Sequence, residues 1–549
     1  MMILGVEHDP TNLDVSPCCQ VHRTAQWQPE KLALVYEGEE QDYAQFRDTV
    51  VKWAAHLREA GVQQGDRVAY LGANSSSFIY GMMASWWIGA VFMPLNFRLS
   101  SGEISQLLAM GTPHSIIVEG TFLDEAKRVY GIERHHVLAV DTDPAAPPES
   151  DIPLYWSKTS HLEDIETAAV EKPMPRTMSE LALLLFTSGT TGLPKGAQIT
   201  FGNLWWNQIN VDTVVDSRVG DTTLASAPLF HVGALNSFAV RALARGNTVV
   251  VHRAFDPQRI FDEVEKYKIG SAFLVPAQLE GMAQHPAFDG VDLTSLRAII
   301  CAGAPVPPRL IRTYWEAKSV VVQQAWGLTE TSPFATYLPP ARTLEKIGSC
   351  GIPMPHTDIK LVDTETGQDI KQVGIPGELW VKGPNVAVGY WNNPDATQKA
   401  YSAGWFHSGD IGYRDEDGYY YIVDRLKDLI ISGGENVYPA EVERVLAEHD
   451  DIISNAVVGV PDPKWGEAVV AVLQTKDGKE ISLEEVREHC ASYLARYKLP
   501  TKVVCVDEIP RNPAGKINKI KLRQDVRVML GEDADSVHST LVESQNKEE

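Results

Sequence analysis

The chain has 549 residues, too many for one ordinary hydrophobic core, so two or more domains are expected. With 44% apolar and 22% charged residues it has the balance of a globular protein rather than a disordered or fibrous one. Its 72 acidic against 49 basic residues leave a net charge of -23, which argues against nucleic acid or an anionic membrane surface as the main partner, because both need a basic footprint.

The opening stretch, "MMILGVEHDPTNLD", has neither a basic n-region nor a long apolar core, so no signal peptide is expected. Six cysteines (Cys18, Cys19, Cys301, Cys350, Cys490, Cys505) show no CxxC spacing. They read as a reduced, cytoplasmic chain with neither a zinc site nor a disulfide frame. From about Asp42 to Ala304 short β-rich runs alternate with helical patterns. "RVAYLG" predicts a strand, "FIYGMMASWWIGA" a helix and "AVFMPL" a strand. No charge occurs from Val68 to Phe97, long enough to span a bilayer. Gly81, Gly89, Pro94 and Asn96 interrupt or close that run, which favours buried strand–helix–strand over a membrane span. "SSGEISQLLAMG" predicts a helix opened by a Ser100/Glu103 capping box, and "HSIIVEG" a strand. His135–His136 has no partner at ligand spacing and reads as surface.

An apolar run, "LALLLF", feeds directly into "TSGTTGLPKG", residues 187–196. Gly189, Gly192 and Gly196 would let backbone N–H groups approach an anion. Thr187, Ser188, Thr190 and Thr191 add hydroxyls, and Lys195 adds a point charge. A flexible surface loop is the plainer alternative, but such loops rarely end so apolar a strand. Pro194 before the lysine and Gly196 after it break the GxxxxGK[ST] spacing, so a P-loop kinase or ATPase is excluded. Further along, "NTVVVHR", "SAFLVPA" and "RAIICAGAP" predict strands and "DPQRIFDEVEKYKIG" a helix, implying parallel sheets covered on both faces.

After about Gly348 the pattern changes to short strands between Gly-rich turns ("TDIKLVD", "GELWVKG", "GYYYIVD"), a small β subdomain or barrel over about 348–424. "LIISGGENVYPAEVERVLAEH" restarts the chain, with Pro439 where a first helical turn tolerates it. The expected fold is therefore α/β. A large N-terminal domain (1–426) carries the doubly covered sheets and the β subdomain, a smaller α+β domain comes next (427–525), and a polar tail (526–549) is expected not to pack.

The loop is joined by "CAGAP" (301–305), "QQAWGLTET" (323–331), "GELWVKGPNVAVGYWNNPDAT" (377–397), "GWFHSGD" (404–410), "DRLKDLIISGGENVYPAEVE" (424–443) and "PRNPAGKINK" (510–519). In this order the chain resembles the adenylate-forming superfamily, and within it the bacterial fatty-acid–CoA ligases and coumarate–CoA ligases. That resemblance spans about residues 20 to 525. It implies ATP-dependent activation of a carboxylic acid through an acyl-adenylate, then transfer to CoA, with Mg²⁺ required. It also implies small-molecule partners only, with a homodimer left open.

By the same resemblance, Thr187, Ser188, Gly189, Thr190, Thr191, Gly192 and Lys195 would hold the β and γ phosphates of ATP. Glu330 would bind Mg²⁺ and Thr329 would contact the α-phosphate. Gly303, Ala304, Pro305, Gln324, Ala325, Trp326 and Gly327 would surround the adenine; Ala325 and Trp326 stand where the family usually has Gly and Tyr. Asp410 would take the ribose hydroxyls, with Arg425 beside it. Lys516 would bridge the acid and the α-phosphate; by its sequence alone it is a turn lysine. No general base is needed, because a carboxylate is already ionised at neutral pH. Lys427 would be the hinge of a mobile C-terminal domain, and Gly433 and Gly434 would admit the CoA thiol, a plain turn being the alternative.

"PLFHVGALNS" (228–237) matches the family's acyl gate, placing His231, Gly233 and Ser237 at the acid pocket, although a lone histidine can equally be a packed core residue. Coumarate ligases carry Tyr at the position of Gly233, so Gly is expected to open the pocket floor to a long or bulky acid. Trp205 and Trp206 line that pocket or belong to the core. Two rivals remain: an amide-bond synthetase that passes the acyl-adenylate to an amine, and a non-catalytic nucleotide or acyl binder. The second should have lost Lys516 or Glu330, and both are present.

Overall fold

The computed structural model describes residues 13–140, 152–153, 156–188, 194–432, 435–462, 465–491, 493–512 and 515–531. Two sheets in the N-terminal region have parallel centres and antiparallel edges. One runs, in spatial order, Ser157–Lys158, His136–Val140, Ser115–Glu119, Arg67–Leu71, Val91–Pro94, Leu181–Ser188 and Pro194–Thr200, with only the last pair antiparallel. The other places Val322–Gly327, Ala298–Cys301, Ile269–Leu274, Thr222–Ala225, Thr248–Val251 and Leu32–Tyr36 in a parallel row. Phe334–Tyr337 and Ile352–Pro353 extend it on one side and Glu39–Asp42 on the other, all antiparallel.

The helices obey local sequence logic. Ser76–Trp87 starts where the Ser75 side chain accepts from the Phe78 N–H. From Ser77 onward each of its residues is buried, and it lies between two paired strands. Among the described residues no helix is long and apolar enough to cross a membrane. Its Trp86 and Trp87 donate their indole N–H groups to the carbonyls of Ala182 and Val170, both at 2.8 Å, so the polar edge of each ring stays satisfied inside the core. Ser101–Gly111 opens with the expected Ser100/Glu103 capping box. Pro257–Tyr267 is capped by Asp256, begins on proline and ends at Lys268 in the left-handed conformation.

A third sheet of six short strands lies between Asp358 and Arg425. The chain divides into two compact units, and the second takes residues 361–379, 409–416 and everything from 421. Much of the expected β subdomain therefore groups with the C-terminal region, and the division does not fall at 426/427 as the sequence suggests. The second unit holds a sheet of Glu435–Val437, Ile430–Ser432, Gly466–Thr475 and Ile452–Asp462, with Lys502–Cys505 paired to Gly466–Thr475. Its two long strands alternate: Val457, Val469, Ala471 and Leu473 join one core with Val442 and Leu446. Ala456, Val458, Val470 and Val472 join another with Leu522 and Val526. Val526 is fully buried in helix Lys519–Met529, so the packed chain continues past residue 525, a correction to the expected tail. Residues 532–549 lie outside the described residues.

Candidate active site

The residues flanking the expected phosphate loop form an antiparallel strand pair. Leu181–Ser188 runs in and Pro194–Thr200 runs out antiparallel, with Thr187 opposite Lys195 and Ser188 opposite Pro194. This agrees with the exclusion of a P-loop, which needs a helix behind the loop. Gly189, Thr190, Thr191 and Gly192 lie outside the described residues, and Ser188 is described in its backbone only. Gly196 is corrected: it sits in the outgoing strand, and a Cβ there would be 2.9 Å from Leu184 and 3.2 Å from the Phe186 ring. Packing against those side chains explains its lack of a side chain, not approach to an anion.

Lys195 leaves this hairpin half-buried, its Nζ 5.2 Å from the centroid of the Tyr390 ring. The Tyr390 hydroxyl donates to Oε1 of Glu330 at 2.7 Å. Burial first, and then the Glu330 carboxylate, push the Tyr390 phenol far above its ordinary value, so it stays a donor. Among the described residues Oε2 of Glu330 takes no hydrogen bond. Glu330 is buried in a single 3₁₀ turn, Thr329–Thr331, immediately after strand Val322–Gly327. The backbone closes so tightly here that a Cβ on Gly327 would lie 1.9 Å from the Pro333 carbonyl oxygen. Thr329 beside it is half-buried.

The expected adenine residues also converge. Strands Ala298–Cys301 and Val322–Gly327 are parallel neighbours with Cys301 opposite Gln324. Gly303–Ala304–Pro305 is exposed just beyond the carboxyl end of the first, where ligands bind in open parallel sheets, and Gly303 has φ 90°. Ala325 is buried and Trp326 half-buried at the end of the second strand. Oε1 of Gln324 is a buried acceptor with no hydrogen-bond partner among the described residues.

In the segment expected to be the acyl gate, His231 is exposed and its ring centroid lies 4.4 Å from that of Phe230. Ser237 is buried and takes a 3.2 Å hydrogen bond from Asn207. Residues Leu235–Val240 form a π-helical turn, a distortion often found at functional sites. Gly233 overturns an expectation. A Cβ built on it would lie 2.7 Å from Phe273, so the space expected to be open is filled by that ring. Phe273 packs with Phe238 (5.9 Å) and Phe334 (6.2 Å). Trp205 packs partly against the core beneath Arg245, and Trp206 meets the His356 ring edge-on at 5.1 Å. His135 and His136 are half-buried rather than surface residues, and His136 opens a strand.

In the second unit, Asp410 is buried and Arg425 Nε lies 2.5 Å from its Oδ1, the pairing the sequence implies. Lys427 falls in the turn Leu426–Asp428, described in its backbone only. Gly433 and Gly434 lie outside the described residues, between the paired Ser432 and Glu435. Lys516 is exposed on a turn in which Asn512 N–H donates to the Lys516 carbonyl at 2.7 Å and Lys516 N–H donates to Asn512 Oδ1 at 3.0 Å. Sequence reading assigned nothing to Tyr390 or Phe273. The first lies in the quoted 377–397 motif and the second in a segment read only as a strand.

The AMP-binding enzyme family model matches residues 21–391, and the AMP-binding enzyme C-terminal domain matches 441–516. The chain is 39% identical to a feruloyl-CoA synthase from Amycolatopsis sp, covering 91% of this chain and 97% of that protein. It is 40% identical to an indoleacetate–CoA ligase from Aromatoleum aromaticum, covering 92% and 97%. The solved structure of o-succinylbenzoate CoA synthetase from Bacillus subtilis, in complex with its acyl-adenylate intermediate, superposes with a TM-score of 0.81 at 30% identity, covering 92% and 98%.

Proposed function

Because the chain belongs to the AMP-binding enzyme family, we propose that it joins a carboxylic acid to coenzyme A at the expense of ATP, through an acyl-adenylate, releasing AMP and pyrophosphate. The observation that carries this reading is the contact chain Lys195–Tyr390–Glu330, which sets a cation and a carboxylate at the exit of a phosphate-type loop.

In the first step an acid oxygen attacks the α-phosphorus, and the bond to pyrophosphate breaks with its electron pair leaving on pyrophosphate. Every reacting group is anionic and no proton moves, so catalysis is positioning and charge neutralisation. Lys195 steadies the departing pyrophosphate. Glu330 would hold Mg²⁺. Among the described residues no cluster of three metal-ligating side chains exists, and a single carboxylate suits an ion that keeps its waters and binds mainly through nucleotide phosphates. When bound, that ion neutralises phosphate charge. Gln324 Oε1 accepts from the adenine amine, Trp326 stacks on the base, and Asp410 with Arg425 holds the ribose. Lys516 takes the family's role of neutralising acid and α-phosphate together. In the second step the CoA thiolate attacks the acyl carbonyl and AMP departs. Gly433 and Gly434, with movement at Lys427, are assigned to thiol entry by motif alone.

The acid is ring-bearing. Phe273, beside Gly233, packs with Phe238 and Phe334, which puts aromatic rings next to the gate segment, and the names of the two relatives above specify aromatic acids. The scattered cysteines, without CxxC spacing, fit the cytoplasmic setting we assign to the chain. A pyrophosphate-release screen over aryl, arylalkyl and fatty acids, with and without CoA, tests the proposal. Ring acids should release pyrophosphate and give a CoA-dependent thioester by mass. Silence across the panel would sink adenylation; release with an amide product but no thioester would sink the choice of acceptor.

A further inference from the structure

Residues 385–391 form a strap between two pieces of chain that the sequence keeps far apart. On one side the strap pairs with the strand leaving the phosphate loop. Val388 N–H donates to Gln198 O, Gln198 N–H to Gly389 O and Trp391 N–H to Gly196 O, while Ala197 and Tyr390 form an antiparallel bridge. On the other side it grips the turn bearing Glu330. Ala387 N–H donates to the Glu330 carbonyl at 2.7 Å, and the buried Asn385 amide donates to the carbonyls of Thr331 (2.8 Å) and Phe334 (3.1 Å). Tyr390 is the strap residue whose side chain reaches both functional groups, its ring under Lys195 and its hydroxyl on Glu330. It is 7% exposed, so both contacts are made with little competition from water.

We propose that Tyr390 is a positioning residue that couples the phosphate-loop lysine to the metal-binding carboxylate. Its hydroxyl occupies Oε1 of Glu330 and leaves Oε2 to a divalent cation, while its ring face keeps Lys195 at the phosphate side. The two halves of the role belong to different atoms of one side chain, so they separate by substitution. This rests on the reading of Glu330 as the metal ligand of an ATP site.

The test uses the full chain and titration calorimetry of ATP with and without Mg²⁺. In Tyr390→Phe, metal-free ATP should bind within about twofold of wild type, while the gain in affinity on adding Mg²⁺ should shrink about tenfold, the loss of one hydrogen bond to a charged group. Tyr390→Leu should in addition weaken metal-free ATP several-fold, because Lys195 loses its ring. Glu330→Gln should abolish most of the Mg²⁺ gain, and adding Tyr390→Phe to it should change nothing further. An unaltered Mg²⁺ gain in Tyr390→Phe, or an equal drop in the Glu330→Gln background, overturns the proposal. These binding readouts do not need turnover. If wild type fails to exchange pyrophosphate with any acid, the ligase reading falls while the Tyr390–Glu330 coupling can still be measured.

Discussion

A side chain at position 233 would begin 2.7 Å from the Phe273 ring, while Gly233 itself keeps φ outside the left-handed region. Space alone demands the glycine, and the residue that uses the space is on another strand. Gly233→Tyr should therefore cost at least tenfold in kcat/KM for every acid, small ones included. Adding Phe273→Ala should recover most of that for ring acids; a double variant as poor as the single one would mean the two residues do not share a pocket. Lys516→Ala should abolish acid-dependent pyrophosphate exchange yet leave thioester formation from supplied acyl-adenylate largely intact; equal loss of both would remove the role given to it. These residues also differ in how legible they were. Lys516 and Glu330 sit in short motifs, and the roles proposed for them come from those motifs. Gly233 was expected to leave open space, but the ring that fills that space comes from "SAFLVPA", and one sequence does not show which distant residue occupies a gap.

Strands and helices were legible wherever the pattern was local: the Ser100/Glu103 box and Pro439 at a helix start both stand as expected, as does the helix in "DPQRIFDEVEKYKIG". The strap 385–391 was not, because it is tied mainly through main-chain groups, which carry no residue identity. Helix Pro439–Leu446 depends on a comparable tie. Asp424, 5% exposed, accepts from the Ala440 N–H in its first turn at 2.7 Å and from the Arg425 N–H at 2.6 Å. Burial outweighs those bonds and nearby Lys519, and pushes the Asp424 carboxyl up to about 6. The folded chain therefore keeps a proton between about pH 4 and 6 that the unfolded chain has released. Stability attributable to Asp424 rises as pH falls through 6, by up to about 1.4 kcal/mol per pH unit. Asp424→Asn should lose a helix-start hydrogen bond and also flatten this slope. Melting midpoints of wild type minus variant, measured from pH 4 to 7, should trend with pH; a constant difference would contradict the account.

At the scale of the molecule, composition and length correctly required more than one core, and the second unit has its own, split over the two faces of one sheet. Its boundary was hard to read because residues 361–379 and 409–416 precede the obvious restart in sequence yet group with the chain beyond that restart. The expected tail held the end of a helix for a related reason: Val526 and Leu530 pack on the core while Val528 and Met529 between them are exposed, a division visible only once the helix is known. Val470→Ala, at the centre of the second core, should lower a C-terminal melting transition by about 2 kcal/mol while metal-free ATP affinity stays put. Uniform loss across the whole melt would mean the cores do not unfold separately. The hairpin carries a last consequence, for anyone wishing to move this site elsewhere. A phosphate loop backed by a helix brings its electric field with it and can be cut out as a cassette. Grafting residues 181–200 into a new scaffold would carry over the glycines and hydroxyls but leave behind the ring that holds Lys195 and the carboxylate beyond it. The spelling of the loop is portable; the site is not.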